Sequence, residues 1–205
     1  MRTELTTEAI RLGRLLAELQ PEPEVLGLLS LMLLQESRHA ARRSPTGELI
    51  LLENQDRSRW NREQIAEGRT LVEHALKSRA FGAYTLQAAI VAVHAEAEST
   101  ATTAWRQIVA LYDRLLQIQP SPVIQLNRAV AVAERDGPEA GLRQIEAVLE
   151  EGDLANYYLA HSARAEMYRR LGRTVEARSA YEKALALTQQ EPERQFLEER
   201  IRQLK

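Results

Sequence analysis

The densest group of chemically capable side chains lies between Arg38 and Arg62. There Arg38, Arg42, Arg43, Arg57, Arg59 and Arg62, with His39 beside them, are set against only Glu48, Glu53 and Asp56. The local excess is about three positive charges, in a chain whose formal net charge is −2. A guanidinium is a planar fork of donors that matches a carboxylate or a phosphate, so the chemistry on offer is recognition. The octapeptide Glu53-Asn54-Gln55-Asp56-Arg57-Ser58-Arg59-Trp60 concentrates it, and two readings stand. In the structural one, Asp56 pairs with an arginine, Trp60 plugs the core, and Glu53 and Gln55 satisfy loop backbone. In the functional one, Glu53, Gln55, Asp56, Arg57, Arg59 and Trp60 form a partner-binding site with Trp60 as its anchor.

Bond-making chemistry has no comparable foothold. There is no phosphate-binding loop, no Gly-rich dinucleotide turn, no nucleophile elbow and no pair of histidines at ligand spacing. His39, His74, His94 and His161 are scattered, and although His94 stands near Glu96 and Glu98, next-but-one residues on a helix diverge. Glu193, Glu198 and Glu199 with their arginines read as a solvated helix face. The expectation is a protein that is not an enzyme, with no catalytic residue, no metal ligand and no cofactor. Aromatics are few and not interleaved with the arginines, which argues against a stacking platform for nucleic acid.

The elements that must carry this segment are helices. Tyr158 to Leu187 reads as one helical hairpin, with Ala165, Ala177 and Ala184 where two helices approach closely, and Tyr168 and Tyr181 as the bulk between them. Gly172 makes the turn and Thr174 is expected to cap the second helix. This resembles the tetratricopeptide (TPR) pattern. Tyr112, Ile145 and Tyr181 recur at intervals of 33 and 36 residues, as do Leu115, Val148 and Ala184, close to the TPR period. Such units bury their apolar faces only by stacking.

Upstream, Thr6 or Thr7 is expected to cap a first helix running to about Leu19, with Ile10, Leu12, Leu15, Leu16 and Leu19 on one side. The next helix starts near Pro23 and is apolar nearly all round, so it belongs in the centre of the core. Ser44-Pro45-Thr46-Gly47 with Glu48 to Leu52 offers a small β-hairpin, a buried loop or a helix start. Asn61 with Gln64 resembles a capping box opening a helix to about Ser78. Helices follow over 84–97, 105–119, 122–134 and 138–151, and Glu191-Pro192 begins a charged terminal helix. The fold class is therefore all-α: a right-handed helical-repeat, TPR-like array over 81–205, preceded by an N-terminal helical region over 1–80 that contains the Arg-rich segment 38–62.

Composition narrows the setting. Charged residues make up 27% and net charge is near zero, so nothing biases the whole surface toward nucleic acid or membrane. The absence of cysteine removes disulfides and thiolate chemistry and suits a reducing compartment. No apolar run is long enough to span a bilayer and no secretory signal opens the chain, so the expected location is cytoplasmic. With only a few polar residues ahead of the first helix, the sequence leaves two alternatives open, a fragment cut from something longer and a stand-alone protein.

The order of several blocks carries a resemblance. These are Ala-Ile-Arg-Leu-Gly-Arg-Leu-Leu from Ala9, Pro-Glu-Val-Leu-Gly-Leu-Leu from Pro23, Leu-Leu-Glu-Asn-Gln-Asp-Arg-Ser-Arg-Trp from Leu51 and Ile-Ala-Glu-Gly from Ile65. Downstream come Leu-Gln-Ala-Ala-Ile-Val-Ala-Val-His-Ala-Glu-Ala from Leu86, Leu-Tyr-Asp-Arg-Leu-Leu from Leu111 and Ser-Pro-Val-Ile-Gln-Leu-Asn-Arg-Ala-Val-Ala from Ser121. The chain resembles the C-terminal TPR-like extension of bacterial extracytoplasmic-function (ECF) RNA polymerase sigma factors, with Asn54 where an acidic residue is usual. The resemblance implies a regulatory domain that controls transcription initiation through contacts with the sigma domains of the same protein, with RNA polymerase, or with both. It implies no direct nucleic-acid binding by this part, since the promoter-reading domains are not within it. A free-standing TPR scaffold that binds a peptide is the alternative. A homodimer remains open, because exposed repeat faces associate.

Overall fold

The computed structural model describes residues 2–45 and 47–204. Among them are ten α-helices: α1 (Arg2–Leu19), α2 (Pro23–Glu36), α3 (Arg62–Lys77), α4 (Ala83–Glu96), α5 (Trp105–Ile118), α6 (Pro122–Asp136), α7 (Pro138–Glu150), α8 (Tyr158–Arg170), α9 (Thr174–Leu187) and α10 (Glu191–Gln203). The protein is all-α, and within each of its two compact units helices pack on their neighbours in sequence, consistent with a helical-repeat array. It divides into two compact units. The first holds α1 to α5; the second holds α6 to α10 together with the short segment Ser44–Leu49. The division falls between Gln119 and Pro120, whereas the sequence reading divides the chain between residues 80 and 81.

In the first unit α2 is central, packing on α1, α3 and α4. Its apolar circumference explains the position: Leu26, Leu29, Leu33 and Leu34 are buried on different sides. Each fully buried leucine contributes about 1.5–3 kcal/mol relative to exposure. Small residues set the approach. A Cβ on Gly27 would lie 2.6 Å from the Thr85 amide nitrogen, so α2 and α4 meet backbone to backbone there. Ser30 is buried and donates its hydroxyl to the Gly68 carbonyl of α3 at 2.6 Å.

A second device joins α2 to α4. α4 opens at Gly82 with no capping side chain of its own. Glu24 of α2 supplies one: Oε1 accepts from the amides of Gly82 (2.8 Å) and Thr85 (3.0 Å) and from the Thr85 hydroxyl (2.7 Å), and Oε2 accepts from the Tyr84 amide (2.9 Å). Burial opposes this charge, but the Thr85 hydroxyl and the three amides outweigh it and hold the carboxyl below its ordinary range.

In the second unit, α6 and α7 form one hairpin about Gly137, whose φ of 98° only glycine adopts freely, and α8 and α9 form the next about Gly172 at φ 72°. The first is tight enough that a Cβ on Gly141 would fall 2.4 Å from that of Ala133. In the second, Ala165, Ala177, Ala184 and Tyr181 are all buried, as their alignment predicts. The Tyr181 hydroxyl bonds Glu166 at 2.9 Å, and that of Tyr168 bonds Glu146 at 2.5 Å. α10 closes over Tyr181 and Ala184 with Leu197.

Three local expectations are corrected, and one set of alternatives is resolved. α1 begins at Arg2, so Thr6 and Thr7 lie inside it. Of its apolar residues Ile10 alone is buried, while Leu12, Leu15, Leu16 and Leu19 are exposed on a different face. Thr174 is the first helical residue of α9 and gives no side-chain cap; the preceding residue is Arg173, whose guanidinium instead pairs with Glu176. Of the alternatives for 44–52, no β-ladder forms among the described residues, and a turn closed by one isolated β-bridge, at Arg43 and Leu49, takes its place. The Ser44 amide donates to the Glu48 carbonyl and the Ile50 amide to the Arg42 carbonyl, closing a turn. Thr46, part of that expected turn, lies outside the described residues.

Candidate functional site

The Arg-rich segment leaves α2 at Ser37, whose hydroxyl bonds the Leu34 carbonyl and whose own carbonyl accepts the Asn61 amide at 2.8 Å. The two ends of the segment are thereby pinned together. Between them run three single turns of 3-10 helix, at His39–Ala41, Leu52–Asn54 and Arg57–Arg59. Asp56 starts the last: its Oδ1 accepts the Ser58 amide at 2.9 Å and the Ser58 hydroxyl at 2.6 Å, and these bonds hold the carboxyl below its ordinary value. Asn61 then caps α3, accepting the Gln64 amide at 3.1 Å, which is half of the expected capping box.

The core of the segment is built on Trp60, which is only 3% exposed and packs with Leu34, Ile65, Val72, Ala88 and Ala92. Arg57 lies over its ring with the guanidinium carbon 4.6 Å from the centroid, and Arg38 approaches the same ring at 5.8 Å. Arg57 Nη1 also donates to the carbonyls of His94 (2.7 Å) and Ala97 (2.6 Å). These are carbonyls at the C-terminal end of α4, where a cation is favoured by the helix dipole. One arginine thus binds the loop to both the indole and the end of α4.

Positive charge accumulates here. Burial, with Arg42 and Arg57 nearby, lowers Arg38 to about 10. His94, edge-on to Trp105 at 5.2 Å, is pushed down to about 4 by burial and by Arg38 and Arg57, so it is neutral at physiological pH. Arg38 and Arg42 both donate to the Gln35 side-chain oxygen, at 2.8 and 2.6 Å. Arg38 Nε, Arg57 Nη2 and the Trp60 indole N–H are buried without an acceptor.

The six candidate residues therefore separate. Arg57 and Trp60 are brought together in the packed cluster, and Gln55 stands half-buried, donating to the Ile50 carbonyl at 3.1 Å. Glu53, Asp56 and Arg59 are exposed on the outside of the same loop, next to exposed Arg62. Sequence reasoning missed His94 as the carbonyl partner of Arg57, 37 residues away, and gave Arg38 no contact with Trp60. No local pattern announces either; both follow from the packing of α2 on α4. Glu24 was missed as well, because a glutamate in the first turn of a helix is ordinarily read as serving that turn's own amides. No cluster of metal-binding side chains occurs among the described residues.

Comparison with known proteins adds two findings. Residues 1–76 match a family of unknown function (DUF6596), a stretch that contains the whole Arg-rich segment. The chain is also similar to a protein of Rhizobium meliloti (strain 1021) named Uncharacterized protein R00370, 48% identical over 185 residues. That match takes in 90% of this chain and 43% of the relative, so the chain spans less than half the length of the curated relative it matches.

Proposed function

We propose that this chain is a regulatory protein-binding domain, the TPR-like extension of an ECF-type sigma factor, acting in the cytoplasm by holding sigma domains or RNA polymerase. The observation that carries the reading is the build of the 53–60 loop. Arg57 and Trp60 fix its inner side to α4 and the core, while Glu53, Asp56 and Arg59 stand in solvent on its outer side. A loop held this firmly presents its outer charges with little entropy left to lose on binding. Support for a regulatory extension comes from the relative, more than half of whose length lies outside the match. No helix among the described residues is long and apolar enough to cross a membrane, which agrees with action in the cytoplasm.

The test is titration of this chain against the remaining part of the R. meliloti relative and, separately, against core RNA polymerase, each at two salt concentrations. Saturable binding that weakens at high salt and on Arg59→Ala is expected. Absence of binding to both would overturn the proposal in favour of a free-standing scaffold for peptides.

A further inference from the structure

α1 is held to its own unit by one face and presents a second, quite different one. The holding face carries Ile10, buried against Leu29 and Leu33, and Gly13, where an added Cβ would lie 3.3 Å from the Leu29 side chain. Arg14 fixes the rotation by a two-point pair with Glu67 of α3, at 2.9 and 2.7 Å. The other face carries Leu5, Ala9, Leu12, Leu16 and Leu19. Their steps are four, three, four and three residues, the seam of a coiled coil. Leu5 is 68% exposed, Leu12 52%, Leu16 41% and Leu19 80%, with Leu15 beside them at 41%. No packing within the described residues explains that spacing, since the helix uses Ile10, Gly13 and Ala17 for its own unit.

We infer that this seam is a homodimer interface in which α1 of one protomer packs antiparallel on α1 of its partner. The period demands a helix with the same period, and α1 itself supplies one. Residue size selects the antiparallel arrangement. In a parallel pair Ala9 would meet Ala9 and leave a gap between leucine layers. In the antiparallel pair Ala9 meets Leu12 of the second copy and Leu5 meets Leu16 of the second copy, and symmetry repeats both pairs, so each small residue faces a large one. The open hollow beside Ala9, lined by Leu5, Thr6 and Met32 together with Gln35, Glu36 and Arg42, leaves room for the incoming leucine. The four seam leucines present roughly 400 Å² per protomer, so two facing seams remove on the order of 800 Å² from water, the size of a weak, reversible association. The inference does not depend on the sigma-factor reading.

The test is sedimentation equilibrium of the chain over a wide concentration range. The mass is expected to rise with concentration to twice 23.2 kDa. Leu12→Glu with Leu16→Glu should hold the mass at one chain with unchanged helical circular dichroism, because both side chains are exposed. Since the chain contains no cysteine, orientation can be read by mixing Leu5→Cys with Leu16→Cys under mild oxidation. The mixed disulfide should exceed the Leu5→Cys self-disulfide several-fold. A monomer at every concentration, a dimer that survives the glutamate pair, or self-linking of Leu5→Cys as efficient as mixed linking would each overturn the inference.

Discussion

Glu24→Gln isolates the contribution of the carboxylate that caps α4 from a distance. The side chain accepts four hydrogen bonds from three residues, and glutamine keeps the length and one acceptor oxygen while turning the other position into a donor. If Oε1 is retained, the amide group of glutamine is placed against the Tyr84 N–H, donor facing donor. Bonds to a charged acceptor contribute about 1.5–3 kcal/mol each, and a charge at a helix N-terminus about 0.3–1 kcal/mol more. Glu24 is half-buried, so water replaces part of the loss. The net destabilisation expected is about 2 kcal/mol, or a fall of roughly 4–8 °C in melting temperature for a chain of this size.

The assays are urea unfolding followed by circular dichroism and hydrogen exchange at the amides of 82–86, with exposed Glu22→Gln as control. The sign of the pH dependence gives an independent check. A carboxyl whose folded pKa lies below its unfolded one contributes stability that is present above the unfolded value and is lost as pH falls through the folded one. Wild type should therefore lose stability on acidification below the ordinary glutamate range, and Glu24→Gln should lack that part of the loss. Unfolding of Glu24→Gln within about 0.5 kcal/mol of the control, with unchanged exchange at 82–86, would refute the reasoning.

Arg57→Ala removes two bonds to the end of α4 and the stack on Trp60, so it should cost about 2–3 kcal/mol in urea unfolding, whereas exposed Arg59→Ala should stay within about 0.5 kcal/mol. Equal effects of the two would contradict the division of the loop into an inner and an outer side. Gly141→Ala sets a methyl 2.4 Å from the Ala133 Cβ, and a destabilisation of about 1–3 kcal/mol is expected by thermal melting. His94, ordinarily 6.5, should titrate near 4 in the folded chain by NMR. Because the unfolded chain takes up that proton first, stability should fall as pH drops from 6.5 toward 4, and a histidine titrating at its ordinary value would refute the burial argument.

Much of the helical array was legible because its signals are local. Pro23, Pro122, Pro138 and Pro192 all sit in first turns, Asn61 caps α3, and the buried alanines of α8 and α9 fall where the repeat alignment puts them. Illegible features depend on what a distant element offers. Thr174 has capping chemistry but lies one residue too far along, inside the helix, because Gly172 ends the turn early. Leu12 and Leu16 have core chemistry, yet α1 is rotated so that Ile10 and Gly13 meet α2. For the loop at 53–60, residue types named the actors, and only the fold could show that Arg57 and Trp60 face inward while Asp56 and Arg59 do not.

The succession of neighbour contacts in the second unit has a kinetic consequence. α6 packs on α7, α7 on α8, α8 on α9 and α9 on α10, so nearly every contact there closes a short loop of chain. Such a unit zips quickly from any nucleated hairpin and unzips from its ends. The α10 end should open first, exposing Tyr181 and Ala184 while the α6–α7 hairpin remains folded, which would give a protease graded access along the sequence rather than one all-or-none event.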